Sequence, residues 1–253
     1  MEKYFNINYE FDQNKVDTII FEHIRNQIPG YVCSMDGNNV TVANLNPDHL
    51  RIVNEAIVNN CDSAWVPIII NWIYGTKYTN YCGTDLFIKY IELKKFRQFF
   101  LGSTPDILKN LQVNLSKIDP KISEMRFETL PFMSVENFNY EQIGEMINND
   151  NPDIIWISLG APKQEKFMSN LLPHLKKGIM FGFGAIFNVY AEMPGLKRAP
   201  KYIVKLKLEW LFRLFQEPEK QFKRAKLFIS ILPKMIREEL KVKKIKNIYE
   251  TTN

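Results

Sequence analysis

Cysteine and histidine are scarce in this sequence, and neither residue type is arranged as a metal or redox site. The 253 residues include three cysteines, Cys33, Cys61 and Cys82, and three histidines, His23, His49 and His174. The cysteines are odd in number, far apart and without a CxxC pair, so we expect reduced thiols rather than a disulfide framework. The dispersed histidines argue against a zinc centre or a Ser-His-Asp triad.

Long apolar runs and glycine-rich nucleotide motifs are also missing. No stretch reaches the roughly 18 uncharged apolar residues that span a bilayer. Residues 1–11 alternate polar and apolar side chains and carry several charges, unlike a secretory signal. Neither a GxGxxG nor a Walker sequence occurs, which argues against a dinucleotide or ATP site. We therefore expect a cytoplasmic protein without a spanning segment.

Acidic residues are depleted in one part of the chain only. Residues 197–247 contain 16 Lys and Arg against 5 Asp and Glu, a local charge of +11, whereas residues 1–196 contain 17 against 22. This asymmetry predicts a polyanionic partner such as phosphate, anionic lipid or nucleic acid, and a merely solvated basic tail is the alternative. No nucleic-acid-binding module is recognisable, so we do not expect nucleic acid. Apolar residues at helical spacing from Ile229 to Leu240 predict a basic amphipathic helix that packs on the core or lies in a membrane interface.

Strand and helix patterns alternate in the first three quarters of the chain. The strand candidates are Phe5–Phe11, Val40–Leu45, Arg97–Leu101, Glu124–Thr129, Ile154–Leu159 and Gly178–Gly182. The helix candidates lie near Lys15–Gln27, after Asn46, before Phe96, at Pro105–Ile118, at Tyr140–Asn148 and at Pro162–Leu175. The pattern predicts an α/β protein with a mostly parallel, Rossmann-like sheet flanked by helices. We expect an α/β core at 1–196 and a basic helical C-terminal appendage at 197–253.

Two strand-to-helix turns are candidates for binding a diphosphate. One contains Gly102 and Ser103, and we expect Ser103 to cap the following helix. The other contains Gly160, Lys163 and Gln164. Such turns present backbone N–H groups and the positive end of a helix dipole. Either turn alone is weak evidence, because many similar turns bind nothing.

A series of motifs in a fixed order carries a family resemblance. The motifs are Asn46-Pro47-Asp48-His49-Leu50, Gly83-Thr84-Asp85-Leu86, Phe99-Phe100-Leu101-Gly102-Ser103, Gly160-Ala161-Pro162-Lys163-Gln164-Glu165, Gly182-Phe183-Gly184-Ala185-Ile186-Phe187, Arg198-Ala199-Pro200, Leu208-Glu209-Trp210-Leu211-Phe212-Arg213-Leu214 and Glu217-Pro218. Together they resemble the WecG/TagA/CpsF family of glycosyltransferases, glycosyltransferase family 26. The resemblance extends from about residue 40 to residue 226.

The resemblance implies a reaction. Members of the family transfer N-acetylmannosamine, glucose or uronic-acid sugars from UDP donors to polyprenyl-diphosphate-linked saccharides, with inversion, in bacterial surface polysaccharide synthesis. It implies Asp62 as the general base, since an inverting transfer needs one carboxylate to take the proton of the acceptor hydroxyl. It also implies a peripheral protein on the inner, anionic face of the plasma membrane, with a homo-oligomer left open.

The resemblance further implies the residues that bind substrate. These are Asn44, Asn46, Gly102, Ser103, Gly160, Lys163, Gln164, Arg198, Arg213 and Arg224, with Gln164 expected at the donor sugar or diphosphate. No DxD sequence stands near the motifs, so we expect no metal and no other cofactor, with arginine neutralising the diphosphate bidentately instead.

Several positions depart from the family pattern. Ser63 replaces a glycine, Asn80 an arginine, Asn188 an aspartate and Asn44 a threonine. These changes leave open a second reading, in which the chain is an inactive family member that serves as a membrane-bound binding or scaffold subunit. They also leave open that Asp62 only caps a helix.

Overall fold

A computed structural model describes residues 1–192, 200, 203 and 209–251 of the chain, and within the last range the side chains of residues 212, 214–219 and 221–245. Its main sheet has six strands in the order β4-β3-β8-β7-β5-β6, and every neighbouring pair is parallel. The six strands are β3 Gly30–Ser34, β4 Val58–Asn60, β5 Gln98–Gly102, β6 Arg126–Glu128, β7 Ile154–Ser158 and β8 Ile179–Gly182. A separate antiparallel hairpin joins β1 Glu2–Tyr4 to β2 Ile7–Tyr9.

Helices cover both faces of the sheet. The helices of the described residues are α1 Gln13–Arg25, α2 Gly37–Leu45, α3 Pro47–Asn54, α4 Trp65–Tyr74, α5 Gly83–Glu92, α6 Pro105–Ser116, α7 Tyr140–Asp150, α8 Lys163–Leu171, α9 Gly184–Tyr190, α10 Glu209–Gln216 and α11 Pro218–Thr251. Short 3-10 turns lie at Pro120–Glu124, Val135–Asn137 and Leu172–His174. The predicted α/β fold with a parallel, helix-flanked sheet is confirmed.

The central strands are apolar at every position because both of their faces are buried. Strand β7 is fully buried, and its side chains alternate between two apolar clusters on opposite faces of the sheet. Ile155 and Ile157 belong to one cluster, whereas Ile154 and Trp156 belong to the other. Each fully buried aliphatic or aromatic side chain of this kind contributes about 1.5–3 kcal/mol of transfer free energy.

The prediction of a strand at 40–45 is wrong, and the strands β3 and β4 were missed. That segment lies within helix α2, which begins after Asp36, whose carboxylate accepts a hydrogen bond from the Asn39 backbone N–H at 2.8 Å. The strand that precedes it is β3. Five of the six residues from 40 to 45 are β-branched or aliphatic, so local composition favoured a strand, but packing of the helix decides.

Helix α11 packs on the core near α2 and α4. Met235 is buried, and Ile231 and Ile236 pack against the same apolar cluster as β3. The Glu239 carboxylate is also buried and accepts hydrogen bonds from the Phe5 backbone N–H and the Tyr74 hydroxyl, both at 2.6 Å. Within the described ranges, no helix is both long and apolar enough to cross a bilayer.

Candidate functional site

The carboxyl ends of the parallel strands meet at one edge of the sheet, and the sequence motifs lie there. The chain leaves β5 towards β6 on one side and leaves β7 towards β8 on the other. The neighbouring strands β5 and β7 therefore form a topological switch point, where open α/β sheets place their ligands. Hydrogen bonds tie the two turns together, since the Ser103 N–H donates to the Ser158 carbonyl at 3.2 Å.

Asp62 lies at this edge, two residues beyond the end of β4. Its Oδ1 accepts a hydrogen bond from the Gly83 N–H at 2.8 Å, at the first residue of helix α5. A backbone N–H at a helix N-terminus stabilises the ionised carboxylate, which is the form that accepts a proton. The neighbouring Ser63 Oγ accepts hydrogen bonds from the backbone N–H groups of Trp65 and Val66, at 3.3 and 3.4 Å. It therefore provides an acceptor for the first two N–H groups of helix α4.

Asp62 is connected through Gly83 to the other strand ends at this edge of the sheet, which we call the rim. A Cβ atom at Gly83 would lie 3.0 Å from Ser34 Oγ and 3.2 Å from the Phe183 ring. Phe183 precedes helix α9 in the turn after β8. The ends of β3, β4 and β8 therefore form one continuous surface that includes Asp62, and a side chain at residue 83 would disturb it.

Gln164 joins the turn after β7 to the turn after β8. Its Oε1 accepts from the N–H groups of Gly160 and Gly184, both at 3.1 Å. Its Nε2 donates to the Gly182 carbonyl at 2.6 Å and to Glu165 Oε1 at 3.0 Å. These four bonds use both donors and both acceptor sites of the amide, which is buried. In this arrangement Gln164 fixes the positions of two turns, and contact with a donor sugar stays a prediction.

A buried polar network continues from Gln164 to helix α3. Glu165 Oε1 also accepts from Asn39 Nδ2 at 3.0 Å, and Asn39 Oδ1 lies 3.2 Å from His49 Nε2. Burial raises the pKa of Glu165 to about 7, although the hydrogen bonds from Asn39 and Gln164 oppose this shift. Burial also disfavours the charged form of His49, and it lowers the pKa of the imidazole to about 4. At neutral pH the imidazole is therefore uncharged, and the network links α2, α3 and α8 behind the rim.

Two helices point their N-termini at the switch point. Helix α6 follows β5, helix α8 follows β7, and no side chain of the described residues caps the first turn of either. The dipoles of the two helices give this edge a positive potential suited to a diphosphate. The prediction that Ser103 caps α6 is wrong, because the N-cap position is occupied by Thr104. Ser103 instead adopts a left-handed conformation with φ of 68°, directly after Gly102 with φ of 98°.

Lys163 reaches from the start of α8 towards the segment that follows β6. Its ammonium donates to the Met133 carbonyl and lies 5.3 Å from the centre of the Phe138 ring. These contacts direct the side chain along the rim of the candidate site. An ammonium has three donors, so the predicted contact with phosphate remains compatible with this position.

Asn44 and Asn46 lie away from this edge, contrary to the sequence-based expectation. They stand at the far end of α2, a nine-residue helix about 14 Å long that starts at the edge and runs away from it. Asn44 donates to the Val40 carbonyl at 2.9 Å, and Asn46 caps α3. The expected strand at 40–45 would have carried them to the site. This part of the edge is instead occupied by Ser34, Asp36 and Asn39. The sequence did not identify them as site residues because strand β3, which positions them, was not predicted.

The structure gives only part of the predicted arginine set. Arg198 lies outside the described residues, and Arg213 belongs to helix α10 but its side chain is likewise outside the description. Arg224 lies on helix α11 and is half-buried. Their contact with a diphosphate stays a prediction.

The cysteines and acidic residues show no metal-binding arrangement in the part of the chain that the structure describes. No group of three or more His, Cys, Asp or Glu side chains there is placed to hold a metal ion. None of the three cysteines forms a disulfide, and burial raises the pKa of both Cys33 and Cys61. The absence of a metal requirement stays a prediction.

Comparison with known proteins identifies relatives over nearly the whole chain. The profile of the glycosyl transferase WecG/TagA/CpsF family matches residues 5–245. An N-acetylglucosaminyldiphosphoundecaprenol N-acetyl-beta-D-mannosaminyltransferase of Bacillus subtilis strain 168 is 31% identical over 156 residues, 62% of this chain and 56% of that protein. Proteins with the same name from Bacillus spizizenii strain W23 and Staphylococcus aureus strain MW2 are 25% and 24% identical. Those two matches cover 68% and 91% of this chain, and 66% and 92% of the relatives. The chain thus matches less than two thirds of the length of the two Bacillus relatives.

Proposed function

Since the chain belongs to the WecG/TagA/CpsF family of glycosyltransferases, we propose that it transfers a sugar from a UDP-sugar to a polyprenyl-diphosphate-linked saccharide, with inversion at the anomeric carbon. The relatives are named for transfer of N-acetylmannosamine to N-acetylglucosaminyldiphosphoundecaprenol. N-acetylmannosamine is therefore the first donor sugar to test, with glucose and uronic-acid sugars next. The observation that carries the proposal is the placement of Asp62 on the same rim as the uncapped start of α8.

Asp62 acts as the general base in this proposal. Its carboxylate takes the proton of the acceptor hydroxyl while that oxygen forms a bond to the anomeric carbon. The bond from the anomeric carbon to the diphosphate breaks at the same time, and UDP leaves with the electron pair. Because attack and departure occur on opposite faces of the sugar, one carboxylate suffices and the configuration is inverted. The Gly83 N–H donates to one carboxylate oxygen and so fixes the position of the group.

The leaving diphosphate is stabilised by backbone N–H groups and arginine. The first turns of α6 and α8 supply the backbone N–H groups at the switch point. We assign the side-chain charge to Arg198, Arg213 and Arg224, since arginine binds phosphate oxygens bidentately and needs no metal partner. Gln164 contributes by holding the turns at Gly160 and Gly184 in position rather than by an essential contact with sugar.

The acceptor sets where the enzyme must work. A polyprenyl chain stays in the bilayer, because each buried CH₂ is worth about 0.8 kcal/mol. We therefore propose a peripheral protein at the inner face of the plasma membrane. The basic residues at 197–247, with a local charge of +11, favour an anionic surface. The possible homo-oligomer stays a prediction.

A donor screen tests the activity. Purified protein is mixed with individual UDP-sugars and a short-chain polyprenyl-diphosphate N-acetylglucosamine, and the product is identified by mass spectrometry. We expect one donor to add a single sugar with release of UDP, and Asp62→Asn to add it about 10²–10⁴-fold more slowly at the same enzyme concentration. The inactive-scaffold alternative is favoured by Ser63, Asn80 and Asn188. It predicts that acceptor binds but that no donor is consumed.

A further inference from the structure

Strand β4 is buried at every position, yet two of its three residues are asparagines. Asn59 and Asn60 are 1% and 0% exposed, although asparagine is disfavoured both in strands and in protein interiors. Buried polar side chains are hydrogen-bonded in native proteins, so the partners of each amide indicate what it contributes. Successive side chains of a strand point to opposite faces of the sheet, and the two amides therefore contact different parts of the molecule.

The Asn60 amide connects three segments of the rim. Its Nδ2 donates to Ser34 Oγ at 3.1 Å and to the Tyr81 carbonyl at 2.8 Å. Ser34 ends strand β3 and is the neighbour of Asn60 in the parallel register. Tyr81 lies two residues before Gly83, where helix α5 begins. One side chain thus joins the ends of β3 and β4 to the segment that leads into α5.

The backbone of Tyr81 is held from both of its polar groups. A carbonyl oxygen only accepts, so the nitrogen of the Asn60 amide, and not its oxygen, faces Tyr81. The Tyr81 N–H donates in turn to the Cys61 carbonyl at 2.7 Å. Both polar groups of this backbone unit are therefore bound to the two residues that precede Asp62.

The same two segments carry the bond between Asp62 and Gly83. Asp62 Oδ1 accepts from the Gly83 N–H at 2.8 Å, two residues beyond each end of the bond between Asn60 and Tyr81. The two bonds are consecutive links between the chain that leaves β4 and the chain that enters α5. Without the first link, the Gly83 N–H is less well fixed relative to the carboxylate.

We propose that Asn60 is a positioning residue for the Asp62 carboxylate, because its amide fixes the segment whose Gly83 N–H binds that carboxylate. The effect on transfer rests on the proposed function, in which Asp62 is the general base, whereas the effect on residues 81–83 does not. A base must lie within hydrogen-bond reach of the proton that it takes, and a displacement of about 1 Å can cost about 10²-fold in rate. We expect a smaller loss, about tenfold, because the Tyr81 N–H keeps its bond to Cys61.

Asn59 provides a matched control on the other face of the same strand. Its Nδ2 also donates two hydrogen bonds, to the Asn8 and Val53 carbonyls, both at 2.8 Å. In both asparagines Oδ1 is buried and has no hydrogen-bond partner among the described residues. Asn59→Leu and Asn60→Leu therefore remove the same number of bonds from equally buried positions, and we expect similar losses of stability. Only Asn60→Leu disturbs the rim.

Hydrogen exchange with mass spectrometry tests whether Asn60 fixes the segment. We expect Asn60→Leu to raise the exchange rates of amides in residues 81–86 by about tenfold, because local opening there becomes easier. Asn59→Leu should leave residues 81–86 as in wild type and loosen the β1–β2 hairpin instead. Asn60→Ala and Asn59→Ala repeat the comparison with a smaller side chain if leucine prevents folding. Equal exchange of residues 81–86 in the two variants of a pair would overturn the inference.

Transfer assays test whether the effect reaches Asp62. Turnover is expressed per UDP-binding site, counted by calorimetry, so that a misfolded fraction does not lower it. We expect Asn60→Leu to lower kcat by about tenfold at an unchanged KM for the donor, and Asn59→Leu to keep the wild-type kcat. In the Asp62→Asn background Asn60→Leu should cause no further loss, because a residue that acts through Asp62 then has no base to position. A second loss of the same size would show that Asn60 acts elsewhere and would contradict the inference.

The two measurements separate this inference from the proposed function. If wild type consumes no donor but exchange of residues 81–86 rises in Asn60→Leu alone, the proposed function fails and the positioning of Gly83 against Asp62 stands. If wild type transfers sugar and Asn60→Leu matches its kcat, the positioning role fails alone.

Discussion

Replacing Gln164 with leucine should destabilise the fold because the amide holds two turns together. Leucine has a similar size and preserves packing, so the change removes the four hydrogen bonds and little else. A typical buried hydrogen bond contributes about 1 kcal/mol net, and an unpaired buried partner costs about 1–3 kcal/mol. The Gly160 and Gly184 N–H groups lie at the rim and can regain water, whereas the Gly182 carbonyl is more enclosed. We expect a loss of about 3 kcal/mol in the free energy of unfolding.

Urea unfolding followed by circular dichroism measures this loss. Gln112→Leu is the matched control, since its amide donates one exposed hydrogen bond, to the Ser123 carbonyl at 3.2 Å. We expect it to change the free energy of unfolding by less than about 0.5 kcal/mol. The slope of the transition should be equal in all three proteins, so that the midpoints can be compared.

The measurement also separates the two roles considered for Gln164. If the residue served only to contact the donor, Gln164→Leu would lose UDP-sugar affinity at unchanged stability. A stability equal to that of Gln112→Leu would refute the positioning role. A loss of both stability and affinity is what displacement of the two turns predicts.

Three further predictions concern catalysis and protonation. Asp62→Asn should lower turnover by about 10²–10⁴-fold while UDP affinity, measured by calorimetry, stays near wild type; wild-type turnover in this variant would remove the assignment. EDTA should leave transfer intact, and loss of activity that Mg²⁺ restores would contradict charge neutralisation by arginine. Burial raises the pKa of Glu165 from 4.5 to about 7, so the folded state retains a proton that the unfolded state loses. The free energy of unfolding should therefore fall by about 3 kcal/mol between pH 4.5 and 7. Glu165→Gln should abolish that fall, and an unchanged pH profile would count against the buried proton.

The fold was largely predictable because its later strands are bounded by clear signals. Strands β5, β7 and β8 are short apolar runs that end in glycine or serine, and their predicted bounds differ from the structure by one residue. Strand β3 was missed because its sequence, Gly-Tyr-Val-Cys-Ser, is short and because the proline before it and its own first glycine suggest a loop. Its burial comes from parallel neighbours on both sides, β4 and β8, which lie far away in sequence.

The site was predictable only where a motif coincides with a strand end. The turn from Gly160 to Gln164 was selected in this way, whereas Asp62 was implied by the family resemblance, because strand β4 before it was not predicted. Asn39 escaped because its significance depends on a long-range contact. Asn39 is 126 residues from its partner Glu165, and nothing in the local sequence distinguishes it from an exposed asparagine. Asn44 and Asn46 were placed at the wrong end of their element. The sequence predicted a strand that ends at the site, whereas the structure has a helix that begins at the site and carries both residues away from it.

The C-terminal helix raises a last prediction, because a buried carboxylate ties it to the core. Glu239 accepts from the Phe5 N–H and the Tyr74 hydroxyl, so Glu239→Ala leaves the buried Phe5 N–H and the half-buried Tyr74 hydroxyl without this acceptor. Hydrogen bonds to a charged group contribute about 1.5–3 kcal/mol each. We therefore expect Glu239→Ala to lower the free energy of unfolding by about 3 kcal/mol. Glu238 provides the control, since it is exposed and 3.9 Å from Lys234, a pair worth little in water.

Hydrogen exchange with mass spectrometry locates the effect. We expect Glu239→Ala to lower the protection of amides in residues 226–245, while strand β7 stays protected because its contacts are elsewhere. Glu238→Ala should leave both regions as in wild type. Truncation at 197 would remove Met235 and Glu239 together and uncover their apolar partners, so a single substitution is the cleaner perturbation. If Glu239→Ala and Glu238→Ala exchange alike, the carboxylate does not hold the helix. The basic segment would then dock on the core through its apolar stripe alone.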